Sequence, residues 1–316
     1  ELCLSGATDF ARYAAQAEAV GGSSTGYRAC GTLVVALDSG DRARLADVRR
    51  AQERLGLDVE ALTGRQCRQL EPFLDPAVSG GTLVRGDHQV DPRRLLATLR
   101  SAAEHRGVQF LPSRGEVLVV DGRAVGARLA DGSVLRADLV VLATGAHAGD
   151  HAPVRPVKGQ VARLRMPEGA HVLQRTVRGV VRDREVYLVP RADGELVVGA
   201  TTEDRGFDQT VTAGGVYDLL HDAQVLLPGL RELELVEVLA RSRPGTPDNV
   251  PVIGFASTPG LLLAVGHHRN GVLLSGVTAD AVAALAAGEA VRPEVAACDP
   301  ARFGSRRATL EGSGAR

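Results

Sequence analysis

The chain has 316 residues, and its 37 basic and 38 acidic side chains leave a formal charge of −1 at neutral pH. This balance excludes nucleic-acid binding driven by bulk electrostatics. At 44% hydrophobic and 24% charged residues, the composition is that of a globular protein long enough for two domains. Only 3% of the residues are aromatic and none is Trp, so we expect an aliphatic core and no stacking platform for single-stranded nucleic acid.

Metal sites, disulfides and membrane spans find no support in the sequence. Cys3, Cys30, Cys67 and Cys298 lack the spacing of metal ligands or of a disulfide framework, so we expect reduced thiols. The histidines are scattered without ligand spacing, which predicts no metal site. No segment reaches the roughly 18 apolar residues of a membrane span, and the first residues lack the charged region followed by an apolar region that would predict a signal peptide. The sequence therefore predicts a soluble, cytoplasmic protein without a membrane partner.

Helical patterns dominate the first third of the chain. Apolar spacing and turn residues predict helices over residues 4–20, 42–55, 63–70 and 92–106, with a strand over residues 31–37. Asp91 and Pro92 give the last of these helices an N-cap and a proline at its first position, and Gly107 ends it.

Short strands follow, separated by Asp-Gly turns. They are predicted over residues 108–111, 117–120, 124–129, 133–135 and 139–142. The last run has no polar residue, which is typical of a strand covered on both faces. It ends in a turn of small residues with Thr144 and Gly145, where a ligand could approach the backbone closely.

The remainder of the chain divides into two patterns. Residues 154–238 contain alternating strands and one helix over residues 215–227, which indicates an antiparallel domain. An apolar strand over residues 261–266 then leads through a polar turn into a helix over residues 272–287, and strand, turn and helix in this order form a ligand-binding arrangement in α/β folds. The tail, residues 301–316, is predicted to be disordered.

Three places could carry chemistry, and each has a simpler explanation. The turn at residues 267–271 could present backbone N–H groups to an anion, or it could merely begin a buried helix. The loop around Arg243 could bind a carboxylate, although on spacing alone a surface arginine is the favoured explanation. Lys158, the sole lysine, could form a Schiff base; because no desolvating apolar pocket is evident around it, a structural role is favoured.

Seven segments together resemble the FAD-dependent D-amino-acid oxidase family. Their order and spacing are similar to those of its glycine oxidase branch, which serves thiamine biosynthesis. The similarity runs from residue 27 to residue 303, and the pair RPGTPD and GHxRNG is more specific than any single motif. The segments are residues 31–37, 139–146, 155–160, 186–191, 198–201, 243–248 and 266–271.

The resemblance implies a mixed α/β fold in which a Rossmann-like FAD-binding domain is interleaved with a substrate domain built on an antiparallel sheet. The FAD-binding domain would comprise residues 1–26, 88–150 and 243–300. The substrate domain would comprise residues 27–87 and 151–242.

The resemblance also implies which residues form the site. Arg243 would clamp the substrate carboxylate, Tyr187 would hydrogen-bond the same group, and Arg269 would lie near both substrate and flavin. No catalytic acid or base is implied, because the protein mainly orients and desolvates a neutral amine for hydride transfer to the flavin. The residues implied to bind the cofactor are His267, His268, Arg269, Asn270, Gly271, Val272 and Leu273, together with Thr144 and Gly145 of the small-residue turn.

The activity implied is oxidation of glycine, or of another small amino acid, to an imine that hydrolyses to glyoxylate and ammonia, with dioxygen reduced to hydrogen peroxide. A homo-oligomer is implied as well. A D-amino-acid dehydrogenase or a sarcosine oxidase-like enzyme is the alternative within the class. The family opens with a strand and a glycine-rich turn that this sequence does not contain, so we expect a fragment of a longer protein, the alternative being a cofactor-free remnant.

Overall fold

A computed structural model describes residues 1–169, 172–181 and 183–304. It contains six α-helices and fourteen strands within those residues. The helices are α1 (Leu2–Gly21), α2 (Ser39–Arg54), α3 (Gly64–Leu70), α4 (Pro92–His105), α5 (Ala213–Leu226) and α6 (Ser275–Ala286). The strands are β1 (Thr32–Ala36), β2 (Val59–Thr63), β3 (Gly80–Val84), β4 (Gly115–Val120), β5 (Arg123–Leu129), β6 (Val134–Arg136), β7 (Val140–Leu142), β8 (Arg155–Arg165), β9 (Thr176–Val181), β10 (Arg184–Pro190), β11 (Glu195–Gly199), β12 (Glu234–Gly245), β13 (Val252–Phe255) and β14 (Leu261–Val265).

The chain divides into two compact units, each made of separated segments. Among the described residues, the first unit holds residues 1–13, 107–157 and 242–304, and the second holds residues 14–106 and 158–241. The assignment of FAD to one domain and substrate to the other stays a prediction, and three segments are grouped differently from it: residues 14–26, 88–106 and 151–157, the last of which lies in the first unit. Residues 14–26 and 88–106 belong to the second unit, because the end of α1 packs against α4 so closely that a Cβ on Gly21 would overlap the Thr98 carbonyl oxygen.

An eight-stranded sheet organises the second unit. Its strand order is β12-β8-β11-β10-β9-β1-β3-β2. Between β8 and β2 the neighbouring strands pair antiparallel, except for β1 and β9, which are parallel. Aliphatic side chains of the sheet, among them Leu33, Leu164 and Leu188, pack against Leu226 of α5 in one hydrophobic core. The antiparallel domain predicted from the alternating pattern is therefore present, with one parallel pair inside it.

Two three-stranded sheets, β13-β14-β7 and β4-β5-β6, organise the first unit. In the first of them β7 and β14 are parallel, with Leu261 opposite Val140 and Leu263 opposite Leu142. One face of this sheet contributes Val252, Leu261 and Leu263 to a core, and a neighbouring core joins β13 to α6. The mixed α/β class predicted from the sequence is confirmed by this architecture.

Two strand predictions are corrected by the structure. Residues 108–111 form no strand, and Phe110 and Leu111 are 44% and 50% exposed. Strand β7 is present, but it lies at the edge of its sheet in the described part of the chain, and Val141 is 41% exposed. An apolar run alone does not report how many neighbours a strand has, which is why burial on both faces was wrongly predicted.

The end of the chain needs one further correction. Residues 301–303 lie in a short 3₁₀ helix, Pro300–Phe303, held by hydrogen bonds from Arg302 to the carbonyl of Cys298 and to Asp248. The predicted disordered tail thus begins too early, because an apolar Cys298 and a charged partner fix this turn. The rest of the tail, residues 305–316, lies outside the described residues.

Candidate active site

The first unit brings two turns to the same edge of one sheet. Strands β7 and β14 are adjacent and parallel, so the turn containing Thr144 and Gly145 and the turn that begins at Gly266 follow their carboxyl ends side by side. The Thr144 hydroxyl donates a hydrogen bond to the His147 carbonyl at 2.9 Å, and Gly145 has a φ of +59°. Ligands of open α/β sheets bind outside the carboxyl ends of parallel strands, so this edge is the candidate site.

The turn before α6 presents backbone donors. Its own hydrogen bonds run from Asn270 N–H to the His267 carbonyl and from Leu274 N–H to the Asn270 carbonyl, both at 2.9 Å. Among the residues that the structure describes, none accepts a hydrogen bond from the N–H groups of Gly271, Val272 or Leu273. Three free donors in the turn before a helix suit an anion or an electron-rich ring edge, since the dipole of the adjoining helix adds positive potential near its N-terminus.

Two histidines shape the same turn. His267 is largely buried, and its Nε2 lies 2.9 Å from the hydroxyl oxygen of Thr278 on α6. Burial lowers the pKa of His267 to about 4, so the ring is neutral at pH 7. His268 has a φ of +45°, a left-handed conformation that is uncommon outside glycine and that costs about 1 kcal/mol. The neutral side chain of His267 therefore attaches the turn to α6, next to the strained backbone of His268.

The loop that carries Arg243 is joined directly to this turn. His268 N–H donates to the Pro244 carbonyl at 2.8 Å, and a Cβ added to Gly266 would lie 2.5 Å from the Thr246 Cγ2 atom. The far side of the loop is fixed by Asp248, which accepts from Arg302 Nε at 2.9 Å. The Arg302 guanidinium is the main reason that the pKa of Asp248 falls to about 2.

Positive charge converges on His268 within the first unit. The pKa of His268 is lowered mainly by burial, and the charges of Arg243, Arg269 and Arg155 lower it further. Arg243 and Arg269, both predicted from the sequence as substrate residues, therefore both lie near His268. Arg155 was missed, although it is the first residue of the segment 155–160 that contributes to the family resemblance. It lies at the start of β8, and a Cβ on Gly245 of β12 would lie 3.8 Å from its Cγ atom.

Tyr187, the third predicted substrate residue, belongs to the second unit. It lies on β10, where it pairs with Gly199 of β11, and its side chain is partly exposed. Its predicted contact with the substrate carboxylate stays a prediction, as do the roles assigned to the other site residues.

The surroundings of Lys158 differ from the prediction. The sequence showed no desolvating environment, yet Lys158 is fully buried. Its Nζ lies 3.5 Å from Glu203 and 3.6 Å from Asp208, so the buried charge faces two carboxylates supplied by the loop after β11. Distant loop residues create this environment, which is why local sequence could not reveal it.

The described residues contain no cluster of three or more His, Cys, Asp or Glu side chains suited to a metal ion. Within the same residues, none of the helices is both long and apolar enough to cross a membrane.

Comparison with known proteins identifies the family. The profile of the FAD dependent oxidoreductase family, DAO, matches residues 2–285. The bifunctional protein ThiO/ThiG of Synechocystis is 35% identical over 96% of this chain, and hydrogen cyanide synthase subunit HcnC of Pseudomonas aeruginosa is 32% identical over 88% of it. The chain spans 45% of the length of the first relative and 68% of the second.

A solved structure leads to the same family. The crystal structure of glycine oxidase from Geobacillus kaustophilus superposes with a TM-score of 0.86 at 30% identity, covering 95% of this chain and 82% of that one. The resemblance noted from the sequence motifs is thereby confirmed, and with it the dependence of this family on FAD. The chain belongs to the DAO family of FAD-dependent oxidoreductases.

Proposed function

We propose that this protein oxidises glycine, or another small amino acid, to the corresponding imine with FAD as cofactor, and that it serves thiazole formation in thiamine biosynthesis. The imine is either passed on to thiazole formation or hydrolysed by water to glyoxylate and ammonia, and dioxygen takes up the two electrons and two protons as hydrogen peroxide. The observation that carries the proposal is the 2.8 Å hydrogen bond from His268 N–H to the Pro244 carbonyl. It joins the arginine loop, which suits a carboxylate, to the turn with free N–H donors, which suits a flavin.

The donor set of the turn fits FAD. Gly271, Val272 and Leu273 offer three consecutive N–H groups in the turn that leads into α6. Such donors match the pyrimidine edge of the flavin ring, where negative charge accumulates on reduction. When bound, FAD supplies the two-electron oxidant for the amino acid. The Thr144–Gly145 turn, at the same edge of the sheet, is the second place where we propose contact with the cofactor.

Arginine chemistry explains how the substrate would be held. The guanidinium of Arg243 can bind both carboxylate oxygens of an amino acid at once. Arg269 and Arg155 add positive charge around the same turn, and His267 adds none at pH 7 because burial keeps it neutral. Tyr187 is proposed to donate a hydrogen bond to the carboxylate.

The same charges favour the reactive form of the substrate. Oxidation at Cα needs a neutral amine, and nearby positive charges disfavour the protonated one. The three arginines can thus lower the pKa of the bound amino group without a protein base. This agrees with a site in which the chain binds, orients and excludes water.

A spectrum of the protein with FAD, followed by anaerobic addition of glycine, tests the proposal. Bleaching of the oxidised flavin bands by glycine is the expected result. Arg243→Ala should lower kcat/KM for glycine by about 100-fold or more, because a bidentate charge-assisted pair is lost, while flavin absorbance is retained.

Arg241→Ala is the matched control. Arg241 is exposed on the same strand and donates to its own neighbour, the Ala240 carbonyl, so kcat/KM should be unchanged. Glycine turnover by Arg243→Ala equal to that of the parent protein would overturn the assignment. Bleaching by sarcosine or D-alanine but not by glycine, or turnover with an artificial acceptor but not with dioxygen, would favour the alternatives within the class. The cytoplasmic location and homo-oligomeric state stay predictions.

A further inference from the structure

Tyr187 and Gly199 are packed against each other in the second unit. They are paired residues of the antiparallel strands β10 and β11, next to the pair Leu188 and Val198. A Cβ added to Gly199 would overlap the Cζ and Oη atoms of Tyr187 and would lie 2.6 Å from Cε2. The phenol ring therefore lies across the backbone of Gly199, in the space that any other residue would fill.

The backbone under the ring is fixed to the next strand. Gln160 N–H donates to the Thr201 hydroxyl at 2.8 Å, and Thr201 N–H donates to the Gln160 carbonyl at 3.2 Å. Lys158 and Glu203 exchange two further backbone hydrogen bonds, each 2.9 Å long. Before Gly199, β11 pairs with β8 through Val198 and Ala162, and after it these hydrogen bonds continue the pairing, so the backbone at Gly199 offers the Tyr187 ring a rigid support.

Side-chain hydrogen bonds reinforce this support. The Glu203 carboxylate accepts from Gln160 Nε2 at 2.8 Å and from the Thr201 hydroxyl at 2.6 Å. Gln160 is fully buried, so these bonds lie away from competing water. A shift of the backbone at Gly199 would disturb this network, and we expect the ring of Tyr187, rather than the strand, to move when a side chain is added there.

We propose that Gly199 is a positioning residue that sets where the Tyr187 hydroxyl is presented to the substrate carboxylate. The inference rests on the proposed function in one respect, the role of Tyr187 in binding substrate. The structural part, that the ring occupies the place of a side chain at Gly199, stands on the geometry of β10 and β11. The ring would be displaced by the smallest possible addition, a methyl group.

Steady-state kinetics test the functional part. Gly199→Ala should raise KM for glycine by about tenfold, as much as Tyr187→Phe or more, while the flavin spectrum is retained. Gly214→Ala is the matched control: Gly214 lies exposed on α5 and a Cβ there meets no atom within 4 Å, so KM should be unchanged. If Gly199→Ala oxidises glycine with the parental KM, the inference is wrong although the proposed function stands.

Thermal unfolding of a double variant tests the geometric part without any turnover. Gly199→Ala alone should lower Tm because the methyl group and the ring compete for one space. In Gly199→Ala/Tyr187→Ala the ring is gone, so the alanine at position 199 should cost much less than it does in the parent background. Additive losses of Tm would overturn the inference. Non-additive losses combined with no oxidation of any amino acid by the parent protein would support the packing and reject both the proposed function and the positioning role.

Discussion

The helix-opening turn of the first unit and the buried carboxylates of the second unit use polar groups in opposite ways. In the turn, the N–H groups of Gly271, Val272 and Leu273 have no acceptor among the described residues. In the second unit, the fully buried Glu71 accepts hydrogen bonds from the Gln174 and Arg175 backbone N–H groups and from the Arg175 guanidinium.

The contrast shows where the fold has capacity left for a ligand. Burial raises the pKa of Glu71, while its three donors act in the opposite direction, so that carboxylate is committed to holding the chain together. The N–H groups of Gly271, Val272 and Leu273 in the turn before α6 have no acceptor among the described residues, so they can bind a ligand. Substitution of a buried carboxylate in the second unit should therefore lower the free energy of unfolding. Substitution of a residue that shapes the turn should weaken ligand binding.

The largest effect is expected from Glu71→Ala. The change leaves two backbone N–H groups and the Arg175 guanidinium without their buried acceptor, at a cost of about 3 kcal/mol in the free energy of unfolding. Urea denaturation measures it. Glu53→Ala, which removes an exposed partner of Arg49 on α2, should cost under about 0.5 kcal/mol. Equal losses of unfolding free energy in the two variants would contradict a stabilising role of the buried Glu71 carboxylate.

The next effect is a pH dependence that His267 confers on the turn. Its pKa is about 4 in the folded protein and about 6.5 when unfolded, so the unfolded chain binds the extra proton as pH falls from 6.5 toward 4. Stability is thus full above pH 6.5 and declines below it, by about 2 kcal/mol at pH 4.5. Gln at position 267 does not titrate, so the free energy of unfolding of His267→Gln, measured by urea denaturation at pH 7 and pH 4.5, should change less between the two pH values than that of the parent protein, by about 2 kcal/mol. Identical pH dependence in the two proteins would argue against a neutral buried ring.

A smaller effect is expected from Gly266→Ala. The methyl group would lie 2.5 Å from Thr246 Cγ2 at a residue whose φ is +78°, which should cost about 1–2 kcal/mol and weaken FAD binding severalfold by moving the turn. Gly288→Ala is the control for the conformational part alone, since its φ is +72° and no atom lies within 4 Å of the added carbon. Titration of FAD with each variant compares them. Loss of affinity in both would mean that contact with Thr246 is unimportant.

The smallest effect is expected from Arg302→Ala. Arg302 lowers the pKa of Asp248 to about 2, and a carboxyl with a lowered pKa contributes stability that is present above pH 4 and is lost as pH falls toward 2. Because the Asp248 side chain is 41% exposed, solvent screening reduces the expected loss at pH 7 to about 0.5–1 kcal/mol. The urea midpoints of parent and variant, measured at pH 7 and pH 3, should differ less at pH 3. A difference that grows on acidification would show that the pair does not act through its charge.

Local signals were enough to predict most elements from the sequence. Asp91 accepts hydrogen bonds from Arg93 and Arg94 N–H as the N-cap of α4, with Pro92 at the first helical position, as its sequence indicates. The strand, turn and helix around residues 261–287 were likewise predicted from apolar runs and a polar interruption. Strands β2, β3 and β13 were not predicted, because their partners rather than their own short patterns define them.

The sequence by itself determined the family, the order of the motifs and the residue types of the candidate site. These can all be recognised in short segments of consecutive residues, without knowledge of which segments are in contact. Only the tertiary structure decided that Arg155 joins the arginines near His268, that Lys158 is buried between two carboxylates, that β7 lies at a sheet edge and that Tyr187 rests on Gly199. Each of these depends on strand order and register, which bring residues far apart in sequence into contact. Hydrophobic periodicity specifies which face of an element is buried but not which partner buries it.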